Sequence, residues 1–260
     1  MNIIVCIKQV PDTTDIKIDP TTNTLIRDGV ESIINPFDLY AIEEAVRLKE
    51  THGGSVTAIS MGPPQAEVAL REAVSLGVDN IILLSDRKFA GADTWATSLT
   101  LSAAIKKLGS PDLIFFGQQA IDGDTAQVGP GVAAHLDIEQ LCFISKIVKI
   151  EGKKIELERL MEDGYDTLET EMPLVISVVK EINTPRLPSL RGKKNAKTVE
   201  LTVWKADDLG LDEKTIGLNG SPTQVVKIFT PQVAKNGEKY EVDAEEAAEI
   251  IYKKLKELRG

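Results

Sequence analysis

Short apolar runs alternate with helix-period segments through the first half of the chain. The runs Ile3–Val10, Ser55–Met61, Ile81–Leu84 and Leu113–Phe116 are too short and too uniformly apolar for amphipathic helices, and they predict buried strands. Between them lie three predicted helices. The first opens at Pro36, with Asn35 as its cap and Glu43 and Glu44 in its early turns, and runs to about Thr51 before Gly53-Gly54. The second opens at Pro64 and stops at Gly77, and the third is capped by Asp93 and stops at Gly109. Residues 15–27 read as a small hairpin turning at Pro20-Thr21-Thr22-Asn23. Strands that alternate with helices in this way form βαβ units and a parallel sheet.

The pattern changes after residue 140. Ile144–Ile150, Lys154–Arg159 and Thr167–Glu171 read as a β-meander with turns at Glu151-Gly152 and Asp163-Gly164, and Leu174–Val179 is an apolar run suited to rejoin the main sheet. Residues 183–197 are Pro-rich and basic, and read as a loop. From Ala206 to Val242 Gly, Pro and Asn are scattered without a period, so this stretch is expected to bury little alone. A helix capped by Asp243 follows to Leu258, with an apolar stripe of Ala247, Ile251, Leu255 and Leu258. The expected division is an α/β domain over 1–205 and a C-terminal arm over 206–260.

Composition narrows the partners. Of 260 residues 42% are hydrophobic but only 5% aromatic, so the core is aliphatic, and the net charge of −10 argues against nucleic acid or an anionic membrane surface. No run reaches the ~18 apolar residues of a membrane span, and the N-terminus lacks signal-peptide features, so a reducing cytoplasm is the expected home. Cys6 and Cys142 each sit in an apolar run and read as small core residues. His52 and His135 lie near predicted helix ends, where a cationic or partly solvated role is expected.

Candidate chemistry concentrates at strand-to-helix junctions, where open parallel sheets bind ligands. The stretch Gln118 to Gly131 follows a strand and opens a helix. Its residues leave two readings open. One is a phosphate cradle of free helix-start N–H groups beside the Thr125 hydroxyl, with Gly123, Gly129 and Gly131 admitting a ligand close to the backbone. The other is an Asx-rich turn with Asp124 as N-cap. The junction Gly91–Thr97 offers the hydroxyls of Thr94 and Thr97 but reads first as a capped helix, and Met61-Gly62-Pro63-Pro64 as a turn. Neither Gly-x-x-x-x-Gly-Lys-Ser/Thr nor Gly-x-Gly-x-x-Gly occurs, and no Cys/His cluster suggests a metal site. Asp122 and Asp124 lack a nearby nucleophile or third ligand, so no catalytic residue is assigned. Arg186, Leu187, Leu190 and Arg191 put apolar side chains amid positive charge, readable as a solvated linker or as a docking loop.

Together these residues resemble the β subunit of electron-transfer flavoproteins along essentially the whole chain. The strings that carry the resemblance are Val5-Cys6-Ile7-Lys8-Gln9-Val10-Pro11-Asp12, Asn35-Pro36-Phe37-Asp38 with Ala41-Ile42-Glu43-Glu44-Ala45, and Gln119-Ala120-Ile121-Asp122; Asn183-Thr184-Pro185-Arg186 with Leu190 is similar to the family's partner-recognition loop. The resemblance implies a nucleotide-hydrolase-like (Rossmann-like) α/β fold without hydrolase activity. The sheet would carry a small antiparallel section, and the C-terminal arm would embrace an α subunit in a heterodimer. It also implies a nucleotide held by Cys6, Asn35, Pro36, Phe37, Asp38, Met61 and the loop Ala120, Ile121, Asp122, Gly123, Asp124, Thr125, Ala126, Gln127, Val128, Gly129, Pro130 and Gly131. Leu190 would dock into an acyl-CoA dehydrogenase.

Family members whose β subunit binds AMP carry bulkier residues, of the Asp-Asp-Cys-Asn-Gln-Thr-Gly sort, after Ala-Ile-Asp. Gly123-Asp124-Thr125-Ala126-Gln127-Val128-Gly129-Pro130 is instead similar to the electron-bifurcating type, which binds a second FAD there. That type implies NADH as donor, with one electron passing to ferredoxin or flavodoxin and the other to the α-subunit FAD and an acyl-CoA dehydrogenase. Thr94 and Thr97 would stand beside the FAD or a nicotinamide nucleotide. The alternatives are a carrier with AMP in its β subunit, a stress-protein-like ATP-binding sensor, and a metal-dependent hydrolase using Asp122 and Asp124.

Overall fold

A computed structural model describes residues 1–12, 32–226 and 237–259; the hairpin expected over 15–27 lies outside them. The elements, in chain order, begin with β1 (Asn2–Cys6), β2 (Gln9–Pro11), β3 (Ser32–Ile34), α1 (Pro36–His52), β4 (Ser55–Met61), α2 (Glu67–Leu76), β5 (Asn80–Leu84), α3 (Thr94–Leu108), β6 (Leu113–Gly117) and α4 (Val128–Leu136). They continue with β7 (Glu139–Glu151), β8 (Lys154–Leu160), β9 (Tyr165–Glu171), β10 (Leu174–Val178), α5 (Leu190–Thr198), β11 (Leu201–Trp204) and α6 (Ala244–Arg259). The main sheet has the order β11-β5-β4-β1-β6-β10-β7-β8-β9. It is parallel from β11 through β7 and antiparallel in β7-β8-β9, so the meander extends the main sheet.

Period-two alternation explains why strands this apolar are covered on both faces. In β1 and β6, Ile3, Val5, Leu113 and Phe115 join a core with residues of α1 and α2. Their neighbours Ile4, Cys6, Ile114 and Phe116 join a second core with residues of α3 and α4. The crossover from β1 to β4 runs one way along the sheet and that from β5 to β6 the other, so right-handed connections put α1 and α3 on opposite faces. The order therefore reverses around β1, where a crevice opens beyond the strands' carboxyl ends.

Several expectations are corrected. The strand expected over Ile3–Val10 leaves the sheet after Cys6, because the Lys8 amide turns to donate to the Asp38 carboxylate at 2.7 Å, and Gln9–Pro11 then pairs antiparallel with Ser32–Ile34. Residues 183–197 are not loop throughout, since α5 begins at Leu190 with the Ser189 hydroxyl accepting from the Gly192 amide at 2.9 Å. The first compact unit ends at Val226, beyond the expected boundary at 205/206. Residues after 206 join it because Ala206 and Ile216 are buried in the second core. The second unit, 227–260, carries α6, whose start is held by Asp243 Oδ1 accepting from the Glu245 and Glu246 amides. Ile251, Leu255 and Leu258 of its apolar stripe are exposed.

Candidate functional site

A cleft of about 660 Å³ opens at the reversal point, within the ~300–1,000 Å³ usual for small-molecule sites. Its floor is the ends of β1 (Cys6), β4 (Met61), β6 (Phe116, Gly117) and β10 (Ser177). Around it stand the starts of α1 (Asn35, Asp38), α3 (Thr94, Thr97) and α4, with the loop before α4.

The starts of α3 and α4 are pinned side by side. Ser98 Oγ donates to the Val128 carbonyl at 3.3 Å, and Thr94 Oγ1 to Gln127 Oε1 at 3.3 Å. They differ electrically. Asp93 caps α3, its Oδ1 accepting from the Ala96 amide at 3.1 Å. At α4 the cap position is Gln127, which makes no side-chain capping bond, so Asp124 is not the N-cap the sequence offered as one reading. Asp124 instead accepts from the Gln119 side chain. The amides of Thr125, Ala126, Gln127 and Val128 find no acceptor among the described residues. Ala126 is held at φ 54°, a left-handed conformation that costs a β-carbon residue roughly 1–2 kcal/mol, and Gln127 beside it is right-handed. Adjacent residues of opposite hand form an N–H concavity that attracts anions. The strain and the uncapped helix start converge on one place.

The glycines divide. A Cβ on Gly123 would meet nothing within 4 Å, so ligand access is open there. One on Gly131 would collide with Ser98, and one on Gly129 would touch the Phe116 ring at 3.4 Å. Gly131 is thus small for the packing of α4 on α3, whereas Gly129 lines the cleft and a Cβ there would only touch the ring.

Asn35 precedes α1 but makes no capping bond. Its amide donates to Asp38 Oδ1 at 2.9 Å and to the Gln119 carbonyl at 2.8 Å, and its oxygen accepts from the Ile121 amide at 3.1 Å. Asn35 thus fixes the 118–124 loop, while Lys8 Nζ holds Asp122 at 2.6 Å. Burial pushes the Asp38 carboxyl up to about 7, although Asn35, the Lys8 amide and the Gly117 amide all donate to it. Burial first and Asp38 second push the Cys6 thiol far up, so it stays a neutral floor residue. Cys142 is only half-buried and lies away from the cleft, so it is not the core residue expected.

Of the residues singled out in the sequence, Ala120, Gly123, Thr125, Ala126 and Gln127 line the cleft, as do Val128, Gly129 and Pro130. Pro36, Phe37, Ile121, Asp122, Asp124 and Gly131 are not among its lining residues. Sequence reasoning missed Phe89, Ser177, Thr223 and Val225, which reach the cleft by tertiary folding, without a local motif, and Lys8, which lies in a string that carries the resemblance but was given no role there. His135 lies in the last turn of α4 and is partly exposed, so of the two roles expected it takes the partly solvated and not the cationic one. Desolvation and then Lys106 lower its pKa, and its ring meets Trp95 edge-on at 4.7 Å.

Residues 22–209 match the family described as the electron transfer flavoprotein domain. The chain is 53% identical over 256 residues to electron transfer flavoprotein subunit beta of Thermoanaerobacterium thermosaccharolyticum, covering 98% of each protein. The chain is an electron-transfer flavoprotein β subunit. It is also 48% identical to the caffeyl-CoA reductase-Etf complex subunit CarD of Acetobacterium woodii (99% of this chain, 98% of that one) and 48% identical to protein FixA of Azotobacter vinelandii (98% and 94%). As a β subunit it serves electron transfer in association with flavin and an α-subunit partner. No helix among its described residues is long and apolar enough to cross a membrane.

The expected docking segment is anchored to α1. Arg186 Nε donates to Glu43 Oε2 at 2.8 Å and Nη1 to Glu50 Oε1 at 2.6 Å. Asn183 donates to the Tyr40 carbonyl and to Glu44, each at 3.0 Å. Arg186 is therefore engaged within the chain, while Leu187 and Leu190 are 88% and 90% exposed.

Proposed function

We propose that this β subunit holds FAD in the cleft, with its pyrophosphate on the α4 start, and serves a bifurcating electron-transfer flavoprotein. The observation that carries the reading is the uncapped start of α4. There a left-handed Ala126 aims unpartnered amides at a concavity, and Gly123 leaves the approach open. The CarD relative, whose name places it in a caffeyl-CoA reductase-Etf complex, supports the same direction.

The residues fit the group by their division of labour. The amides of residues 125–128 and the Thr125 hydroxyl hold negative charge, and Asn35 keeps their loop in position. The neutral Cys6 thiol and Met61 give the floor an apolar surface. Thr94 and Thr97 face the same cleft as the α4 start, which favours one ligand touching both helices over a separate nicotinamide pocket. FAD, when bound, supplies hydride acceptance and one-electron transfer, and no acid–base side chain is required of the chain.

NADH as donor, ferredoxin or flavodoxin as low-potential acceptor and an acyl-CoA dehydrogenase met by Leu187 and Leu190 belong to this proposal, as does an α-subunit contact made by the C-terminal unit. A hydrolase reading of Asp122 and Asp124 is disfavoured because Lys8 and Gln119 already engage them. The test is a cofactor count on the purified heterodimer. Two FAD per dimer are expected, whereas one FAD and one AMP would overturn the FAD assignment and leave the AMP-type carrier.

A further inference from the structure

Two cleft residues, Thr223 and Val225, come from a segment with no regular secondary structure. This segment is nevertheless fixed at several points. Ile216 is buried in the second core, and the Leu218 amide donates to the Ala90 carbonyl at 2.9 Å. Gly217 adopts φ 56°, and a Cβ there would strike the Lys88 carbonyl oxygen, so only glycine lets the chain turn so close. Next comes a latch at Asp93. The Asp93 amide donates to Ser221 Oγ at 2.8 Å, and Asp93 Oδ2 accepts from the Thr223 amide at 2.9 Å and the Thr223 hydroxyl at 2.7 Å.

Asp93 therefore uses one carboxylate oxygen to cap α3, the other to hold Thr223 against the cleft, and its amide to hold Ser221. The arrangement also divides the cleft by charge. A carboxylate at the α3 start occupies the place where a phosphate would otherwise sit, and it repels a second anion. The α4 start has no such carboxylate. Phosphate thus belongs on the α4 side, and the α3 side is left to the uncharged part of a ligand. Val225 suits that part, being an apolar side chain in the lining that is 80% exposed.

We infer that residues 217–225 form a strap walling the side of the cleft that takes the uncharged part of the nucleotide, and that Asp93 is the positioning residue that holds the strap there. This rests on the nucleotide reading above. The Leu218–Ala90 bond and the Asp93 amide's bond to Ser221 hold the start of the strap, and the Asp93 carboxylate holds Thr223, so loosening that contact frees the cleft end of the strap while the phosphate cradle at α4 stays intact.

The test uses the α–β heterodimer and two readouts. Asp93→Asn keeps a cap acceptor but turns an amide donor toward the two Thr223 donors. Thr223→Val removes only the hydroxyl, and Thr223→Ser restores it. In nucleotide-free protein, Asp93→Asn is expected to speed hydrogen exchange at the cleft end of the strap, residues 222–225. In loaded protein, separation of free from bound FAD or AMP after dilution should show release from the β site about tenfold faster for Asp93→Asn, the factor a hydrogen bond to a charged group carries. Thr223→Val should release severalfold faster and Thr223→Ser at nearly the wild-type rate. Faster exchange with unchanged release would overturn the strap as a wall of the site, and unchanged exchange would overturn Asp93 as its holder. A wild-type dimer that carries neither FAD nor AMP at the β site would instead overturn the nucleotide reading, and the strap's role with it.

Discussion

Asp38 and Glu43 lie on one helix, α1, and both are nearly buried, at 5% and 4% exposure. Burial disfavours a charged carboxylate at either position, yet the outcomes are opposite. Asp38, at the cleft end, is pushed up to about 7, whereas Glu43, beneath Arg186, titrates below its ordinary 4.5. The partners decide. Asp38 accepts hydrogen bonds only from neutral N–H donors, Asn35 and the Lys8 and Gly117 backbone, and these together with the nearby Lys8 charge do not offset desolvation. Glu43 is also desolvated, but the guanidinium groups of Arg186 and Arg47 outweigh it. One end of α1 is built mainly from dipoles around the cleft, and the other is an ion-paired anchor for an exposed apolar pair.

The strongest way to break this contrast is to remove the cation. Arg186→Met leaves Glu43 buried with Arg47 alone and frees Glu50, and an unfolding midpoint should show a loss of about 3 kcal/mol, the scale of breaking a buried pair. Its pH dependence carries a sign. Because the folded Glu43 pKa is depressed, its contribution is present above 4.5 and disappears as pH falls through the lower folded value. Wild type should lose stability in acid over that window, and Arg186→Met should lose less. Equal acid sensitivity in the two proteins would show that the pair does not stabilise the anchor.

Asp38→Asn is the matching change at the cleft end, with a smaller expected effect. The amide replaces one acceptor oxygen and turns a donor toward an N–H group, so at pH 5 the cost is about 1–2 kcal/mol. The sign of the pH dependence is reversed. A carboxyl raised from 3.8 to about 7 contributes stability that is full below 3.8 and is lost as pH rises through 7. Denaturant midpoints of wild type and Asp38→Asn should therefore converge between pH 4 and 8. Midpoints that diverge as pH rises would mean that the N–H donors hold the carboxylate ionised.

The contrast also marks what a sequence can disclose. The strands were legible because burial on both faces leaves uninterrupted aliphatic runs, and Gly53, Gly77 and Gly109 mark helix ends by local backbone need. The Asp93 cap was legible too, since its donor, the Ala96 amide, lies three residues on. Asn35 misled because a local capping role was displaced by Gln119, 84 residues away. Arg186 read as a free docking cation because Glu43 stands 143 residues from it. Gly123 and Gly131 look alike in sequence, and only folding puts open space beside one and Ser98 beside the other. Local signals thus fixed elements and the cleft's main loop, while charge partners and the strap depended on tertiary proximity.

The smallest stability effect is expected where the functional effect is sought. Leu187 and Leu190 are almost fully exposed, so Leu190→Ala removes little buried surface and should shift the unfolding midpoint by no more than ~0.5 kcal/mol. Its bound nucleotide should be unchanged, since residue 190 lies outside the cleft lining. On the docking proposal, electron delivery to an acyl-CoA dehydrogenase should slow at subsaturating partner and recover as partner concentration rises, because an exposed anchor contributes to association. Arg186→Met should slow delivery as well, but together with the stability loss predicted above, because it loosens the anchor that presents Leu187 and Leu190. If Leu190→Ala leaves delivery unchanged while Arg186→Met slows it, the apolar pair is not the contact, and the anchored segment acts through another of its residues.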